Sequence, residues 1–198
     1  MTGVCNPRVT AATASSAWFF VMDLRGTEAV MTLRVVLGWR EWVDLPGLGV
    51  HAIRAKVDSG ARTSALHVDA QWRFVERGAP WVGFRLTPGG AQGGAGMAVD
   101  CAAPLIDERD VTDSGGHRTR RAFVRTPLRL AGIERDIDIN LSDRRGMLFP
   151  MLLGRTAMAR TFTVDPARSF LHGRPVDEGL PMVQIDSLVV PAHMSQHA

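Results

Sequence analysis

The chain has 198 residues, 45% of them hydrophobic, which suits one domain with tails, excludes wholesale disorder and leaves too little chain for two large lobes. A net charge of +3 with a pI near 9.6 is a modest basic bias, far short of a DNA-binding domain and compatible with an acidic partner. Two cysteines, Cys5 and Cys101, make no disulfide framework, so a reducing, cytoplasmic setting is expected.

The first segment, residues 1–32, is rich in Ala, Ser and Thr and has no clear period. It is expected to be a disordered tail or a misassigned start, because Met31 precedes the first well-patterned strand. Within it, the apolar stretch Ala17 to Met22 is short and runs into Asp23 and Arg25, unlike a membrane span or a signal-peptide core. The folded domain is expected over 33–173, with 174–198 as a C-terminal tail carrying the apolar patch Leu188-Val189-Val190.

From Leu33 the pattern becomes β. Val35 to Leu45 reads as a strand that turns at Pro46-Gly47-Leu48-Gly49, and Val50 to Val57 reads as a second. That strand runs directly into Asp58-Ser59-Gly60, after which Thr63 to Val68 resumes an extended pattern. Trp72–Val75 and Trp81–Leu86 read as a hairpin around Arg77-Gly78-Ala79-Pro80. The glycine-rich stretch from Pro88 to Gly96 reads as a loop. Met97–Val111 and His117–Leu130 then read as two strands around a turn at Asp113-Ser114-Gly115-Gly116, with Pro127 requiring an edge or a bulge. Ile133, Ile137, Ile139 and Leu141 continue the meander, with Asp136, Asp138 and Asn140 on the opposite face. Met151-Leu152-Leu153 is a short buried strand, Gly154–Arg160 one or two helical turns, and Phe162–Val164 and Ser169–Leu171 close the domain. Many short strands with one short C-terminal helix predict an all-β fold, a small closed barrel.

Chemistry concentrates at Asp58. An apolar strand delivers its carboxylate to a tight turn in which Gly60 allows close backbone approach, Ser59 can bond neighbouring backbone, and Ala61 is small. The tripeptide alone is a common turn sequence. Its context, Ala55-Lys56-Val57-Asp58-Ser59-Gly60-Ala61-Arg62-Thr63-Ser64-Ala65-Leu66-His67, is joined downstream by Met151-Leu152-Leu153-Gly154-Arg155-Thr156-Ala157-Met158. The first stretch resembles the catalytic strand-turn of retropepsins and the second resembles their apolar-apolar-Gly-Arg segment entering the C-terminal helix.

The closer resemblance is to bacterial retropepsin-like aspartic endopeptidases, often labelled "ATP-dependent zinc proteases" and commonly encoded beside RimK-type glutamate ligases. It is carried by Gly38 to Val43, Lys56 to His67, Arg121 to Leu130, Met147 to Met158 and Val164-Asp165-Pro166. Ser59 departs from the family's usual threonine but keeps the hydroxyl.

The resemblance implies a retropepsin-like (acid protease) barrel acting as a homodimer, with one Asp58 from each chain sharing a proton across a two-fold axis. One carboxylate activates water while the other protonates the substrate carbonyl oxygen. It implies an acidic substrate, such as an oligoglutamate tail on a protein or peptide.

Asp113-Ser114-Gly115 lacks an apolar approach strand and is expected to be the tip of a hairpin flap. His117, Arg118, Arg120 and Arg121 would then lie on the flap strands, facing acidic substrate groups or forming a solvated basic face. Arg155 is expected to support the site beside Gly154 by pairing with a carboxylate, and Arg62 either to do the same or to reach substrate. Trp39, Trp42, Trp72 and Trp81 are expected in the core or a dimer interface. No His-Glu-x-x-His, Cys-x-x-Cys or phosphate-loop motif exists, so no metal and no cofactor are expected. Aromatics do not interleave with basic residues as single-stranded nucleic acid requires, so neither nucleic acid nor membrane is an expected partner. A non-catalytic peptide-binding domain and a zinc-dependent hydrolase are the alternatives.

Overall fold

The computed structural model describes residues 18–23, 30–87, 98–112 and 115–175. Among these, thirteen strands and one short helix follow in chain order. They are β1 (Trp18–Asp23), β2 (Val30–Gly38), β3 (Arg40–Leu45), β4 (Val50–Asp58), β5 (Ser64–His67), β6 (Ala70–Glu76) and β7 (Ala79–Leu86). After them come β8 (Val99–Pro104), β9 (Asp107–Thr112), β10 (Arg118–Leu130), β11 (Ile133–Ser142), β12 (Met151–Gly154), α1 (Arg155–Met158) and β13 (Phe162–Asp165).

Six strands in the order β11-β5-β12-β4-β3-β10 close into a barrel through the β10–β11 pairing, and β9 extends β10 outward. Closure removes the exposed edges that an open sheet would leave. One three-stranded sheet, β1-β2-β13, and another, β6-β7-β8, flank the barrel. A single apolar cluster joins Leu37 and Phe162 of the first flanking sheet, Val82 and Phe84 of the second, and Ile53, Leu66, Ile139 and Leu153 of the barrel.

The order of strands positions the site. β4 and β5 are consecutive in sequence, but β12 lies between them, parallel to β4 and antiparallel to β5. The connection from Asp58 to Thr63 therefore crosses the end of β12. At that crossing a side chain on Gly154 would sit 2.5 Å from the carbonyl carbon of Thr63 and 2.9 Å from the nitrogen of Ser64. Only glycine lets the two backbones pass so closely.

Several expected elements differ, each for a physical reason. β1 and the start of β2 lie within 1–32, where a tail was expected. The aromatic and β-branched run Trp18-Phe19-Phe20-Val21 suits a strand, and it pairs antiparallel with β2 from Trp18↔Val35 to Asp23↔Val30. The expected strand Val35–Leu45 breaks at Trp39, whose N–H donates to Arg168 O at 2.8 Å, so that β2 and β3 enter different sheets. The expected strand Met97–Val111 breaks after Pro104. There Leu105 N–H bonds to Pro80 O and Ile106 N–H to Phe123 O, and the chain passes from the β7 side to β10.

Ser169–Leu171 is not a strand. Phe170 has φ +53°, outside the extended region, although its N–H bonds to Arg40 O at 2.8 Å. Pro127 faces Asp136 on β11, while β3 meets β10 in register only at Arg129↔Asp44, so the missing N–H falls where the ladder is interrupted. The tryptophans border the core rather than fill it. Trp39 packs edge-on to Phe149, Trp42 leans on Phe170, and Trp72 is 42% exposed. Part of the expected flap turn, Asp113-Ser114, lies outside the described residues.

Candidate active site

Asp58 is the last residue of β4, and its side chain is 29% exposed. Its Oδ1 accepts hydrogen bonds from Gly60 N–H at 3.0 Å and Ala61 N–H at 3.1 Å. The carboxylate itself therefore locks the turn. The hydroxyl of Ser59, expected to do so, makes no hydrogen bond among the described residues. Gly60 does not carry a left-handed φ; a side chain there would crowd Asp58 Oδ1 at 3.2 Å. The second oxygen, Oδ2, lies 4.0 Å from Lys56 Nζ. One oxygen is thus fixed by two amides while the other remains available for chemistry.

The Leu-Leu-Gly-Arg segment closes over this turn from the other side. Gly154 pairs with Asp58 across the parallel β4–β12 ladder. Where β12 gives way to α1, the first unpaired helical amides find partners in the Asp58 loop: Arg155 N–H donates to Ala61 O at 2.8 Å and Thr156 N–H to Arg62 O at 3.1 Å. The Thr156 hydroxyl also reaches Arg62 O at 2.8 Å. Arg155 Nη1 donates to Gly60 O at 2.9 Å. Arg155 therefore supports the turn through a backbone carbonyl, in place of the expected carboxylate.

Beneath the turn runs a buried polar chain. Asn140 lies on the face of β11 opposite Ile139 and Leu141, with Asp136 and Asp138 as the alternation predicts, yet it is 1% exposed because Ser64 of β5 and Arg121 of β10 cover it. Its Nδ2 donates to Ser64 O at 2.6 Å, and its Oδ1 accepts from Arg121 Nη1 at 3.1 Å. Ser64 Oγ in turn accepts from Gly154 N–H at 3.1 Å. One asparagine thus links β10, β11 and the strand that leaves the Asp58 turn. A polar residue in an alternating strand offers no signal of such burial; the cover comes from β5 and β10, which the fold brings against that face.

The basic residues of β10 do not converge. Arg118 and Arg120 share one face and meet the acids of β9, Asp110 at 2.9 Å and Glu108 at 3.5 Å. Arg121 lies on the other face, the one it shares with Phe123 and Arg125, where it meets Asn140 of β11. His117 lies exposed just before β10. Arg62 is exposed and lines a groove with Arg109, Arg125, Asp136 and Asp138, along the outside of β10 and β11.

Arg144, in the loop after β11, was not singled out by the sequence. Burial pushes its guanidinium below the usual arginine pKa; neighbouring Arg121 adds to this and Asp58 opposes it. His67, at the end of β5, accepts Arg144 N–H at Nδ1, 2.9 Å away, with Nε2 3.3 Å from Asp69. Among the described residues no three His, Cys, Asp or Glu side chains are grouped so as to hold a metal ion.

Residues 36–175 match the family model described as RimB-like, the retropepsin-like aspartic endopeptidase RimB. The chain belongs to this family. The RimB-like match covers the barrel, the Asp58 turn and α1, in agreement with the resemblance carried by the sequence motifs. Curated relatives include proteins named "Probable alpha-L-glutamate ligase". That of Shewanella pealeana is 37% identical over 144 residues, and that of Desulfotalea psychrophila is 39% identical over 145. Each match covers 73% of this chain but 31% of the relative, so the chain spans about a third of their length. A crystal structure of a Legionella pneumophila protein of unknown function superposes with a TM-score of 0.58 at 25% identity, over 68% of this chain and 95% of that one. Among the described residues no helix is long and apolar enough to cross a membrane.

Proposed function

We propose that this chain is an aspartic-type endopeptidase, active as a homodimer that brings two copies of Asp58 together, and that its substrates are acidic protein or peptide tails. The observation that carries the reading is the state of the Asp58 carboxylate. It stands at the mouth of the β4–β12 crossing with one oxygen held by the Gly60 and Ala61 amides and the other, free of hydrogen bonds among the described residues, 4.0 Å from Lys56 Nζ. Such a group is oriented before substrate arrives, so little reorganisation is needed when charge develops.

A single carboxylate cannot act as acid and base at once. A second copy of the turn supplies the complement, and the closely spaced pair shares one proton. The ionised member takes a proton from water, which attacks the scissile carbonyl carbon. The protonated member donates to the carbonyl oxygen as the tetrahedral intermediate forms.

The acidic substrate class is supported by the basic groups around the turn and by the printed names of the relatives. Proteins named glutamate ligases carry a stretch similar to this chain. A hydrolase working beside such a ligase would act on the same glutamate-bearing polypeptides.

That likeness to ligases also favours a second reading, in which the domain binds glutamylated peptide without cleaving it. Incubation with matched peptides, one bearing a glutamate tail and one without, separates the readings. Cleavage of the tailed peptide alone, lost in Asp58→Asn with the fold retained, supports the peptidase. Tight binding without turnover, unchanged in Asp58→Asn, supports the binding domain. Equal cleavage of both peptides refutes the acidic-tail substrate.

A further inference from the structure

The loop after β11 turns inward at Arg144. The residues on either side of it, Asp143 and Arg145, are exposed and pair with each other at 2.9 Å. Arg144 itself is half-buried, with its backbone pinned to His67 at 2.9 Å. Its Nε is closed off from solvent and has no hydrogen-bond partner. Among the described residues neither Arg144 nor Arg121 forms an ion pair with a carboxylate.

Arg121 is the second cation near this position. It is held in place by Asn140 at 3.1 Å and by the Thr119 hydroxyl at 2.9 Å, both neutral groups. Arg121 and Asp58 both lie within electrostatic reach of Arg144, the first disfavouring its charge and the second favouring it. Asp58 is already engaged by the amides of its own turn.

A half-buried guanidinium with an unbonded Nε and a second cation within electrostatic reach is an unfavourable arrangement for the free protein. It becomes favourable when an anion enters. A carboxylate is the fitting anion, because the planar guanidinium fork matches its two oxygens. We propose that Arg144 and Arg121 form a carboxylate receptor beside Asp58, which selects peptides carrying an acidic side chain next to the bond to be cleaved. The receptor rests on the reading of Asp58 as a peptidase site and deepens it by assigning the residues that impose the acidic preference. Arg118 and Arg120, already paired with β9 acids, contribute less.

The test uses the full chain and a fluorophore-labelled peptide with three consecutive glutamates, alongside its glutamine counterpart. Binding is read by anisotropy and cleavage by mass spectrometry. Wild type is expected to bind the glutamate peptide in preference to the glutamine peptide. Arg144→Gln and Arg121→Gln are each expected to weaken glutamate binding about tenfold or more and glutamine binding by clearly less, so that the preference for glutamate shrinks. Arg85→Gln removes one positive charge from an exposed pair on β7 and serves as a net-charge control. Arg144→Lys, which keeps the charge but loses the fork, is expected to fall between, and it replaces the glutamine variant if circular dichroism shows that variant unfolded.

Equal affinity of wild type and Arg144→Gln for the glutamate peptide overturns the receptor, as does a loss of equal size in Arg85→Gln. Cleavage of that peptide by Arg144→Gln at the wild-type rate also overturns it, while leaving the peptidase reading intact. Selective binding through Arg144 with no cleavage by wild type refutes the peptidase and leaves the receptor standing.

Discussion

Arg155 donates from Nη1 to the carbonyl oxygen of Gly60 at 2.9 Å, tying the first residue of α1 to the turn that holds Asp58, 95 residues earlier. Together with the backbone bond from Arg155 to Ala61, it fixes the turn from outside, while the Asp58 carboxylate fixes it from within.

Arg155→Met keeps the length of the side chain and removes the donor. The bond is exposed, so the stability cost is expected to be small, about 1 kcal/mol in a urea titration. Peptidase activity is expected to fall more steeply, roughly tenfold in kcat/KM, because the turn that aims Asp58 loosens. Activity equal to wild type would show that the turn holds without this pin.

Gly154→Ala places a methyl group against the backbone of Thr63 and Ser64, neither of which can rotate away. Overpacking of this kind costs about 1–3 kcal/mol, and the strand crossing has no slack to reduce it. A lowered urea midpoint, with activity lost in whatever protein remains folded, is the expected outcome.

Asn140→Leu keeps approximate volume but removes both hydrogen-bonding functions. Ser64 O and Arg121 Nη1 lose their partner in a buried site, at a cost of about 1–3 kcal/mol. If Asn140 also sets the aim of Arg121, selective binding of the glutamate peptide weakens in the same variant. Unchanged stability would mean that water replaces the amide.

Cys101 is buried, donates to Leu48 O at 3.2 Å, and has its thiol pKa pushed up from 9.0 to about 11 by burial and then by Asp100. The folded protein therefore holds the proton more tightly than the unfolded chain. The associated stability is fully present below pH 9 and is lost as pH rises toward about 11. The urea midpoint is expected to fall across this window in the wild type and to fall less in Cys101→Ala. At pH 8, a thiol reagent should modify Cys101 only on unfolding.

Much of the fold was legible because it rests on local rules. Alternating apolar residues mark β4, β7 and β11, and turn chemistry marks Arg77-Gly78. The Asp58 turn and the Leu-Leu-Gly-Arg segment stand out by their apolar approach and small residues. The breaks at Trp39 and after Pro104 were not legible, because the strands on either side follow the same period and differ only in which sheet receives them. β1 was not legible because its short apolar run, without polar alternation, stands alone in an aperiodic segment.

The chain by itself determined which residues are extended, where Asp58 sits relative to its turn, and which family the protein belongs to, since these depend on nearest neighbours and motif spacing. Only the tertiary structure decided that β12 lies between β4 and β5, that Asn140 is buried beneath β5 and Arg121, and that Arg121 and Asp58 come within electrostatic reach of Arg144. Those placements arise from barrel closure, which joins residues far apart in sequence and sets their burial by a geometry that no local pattern encodes.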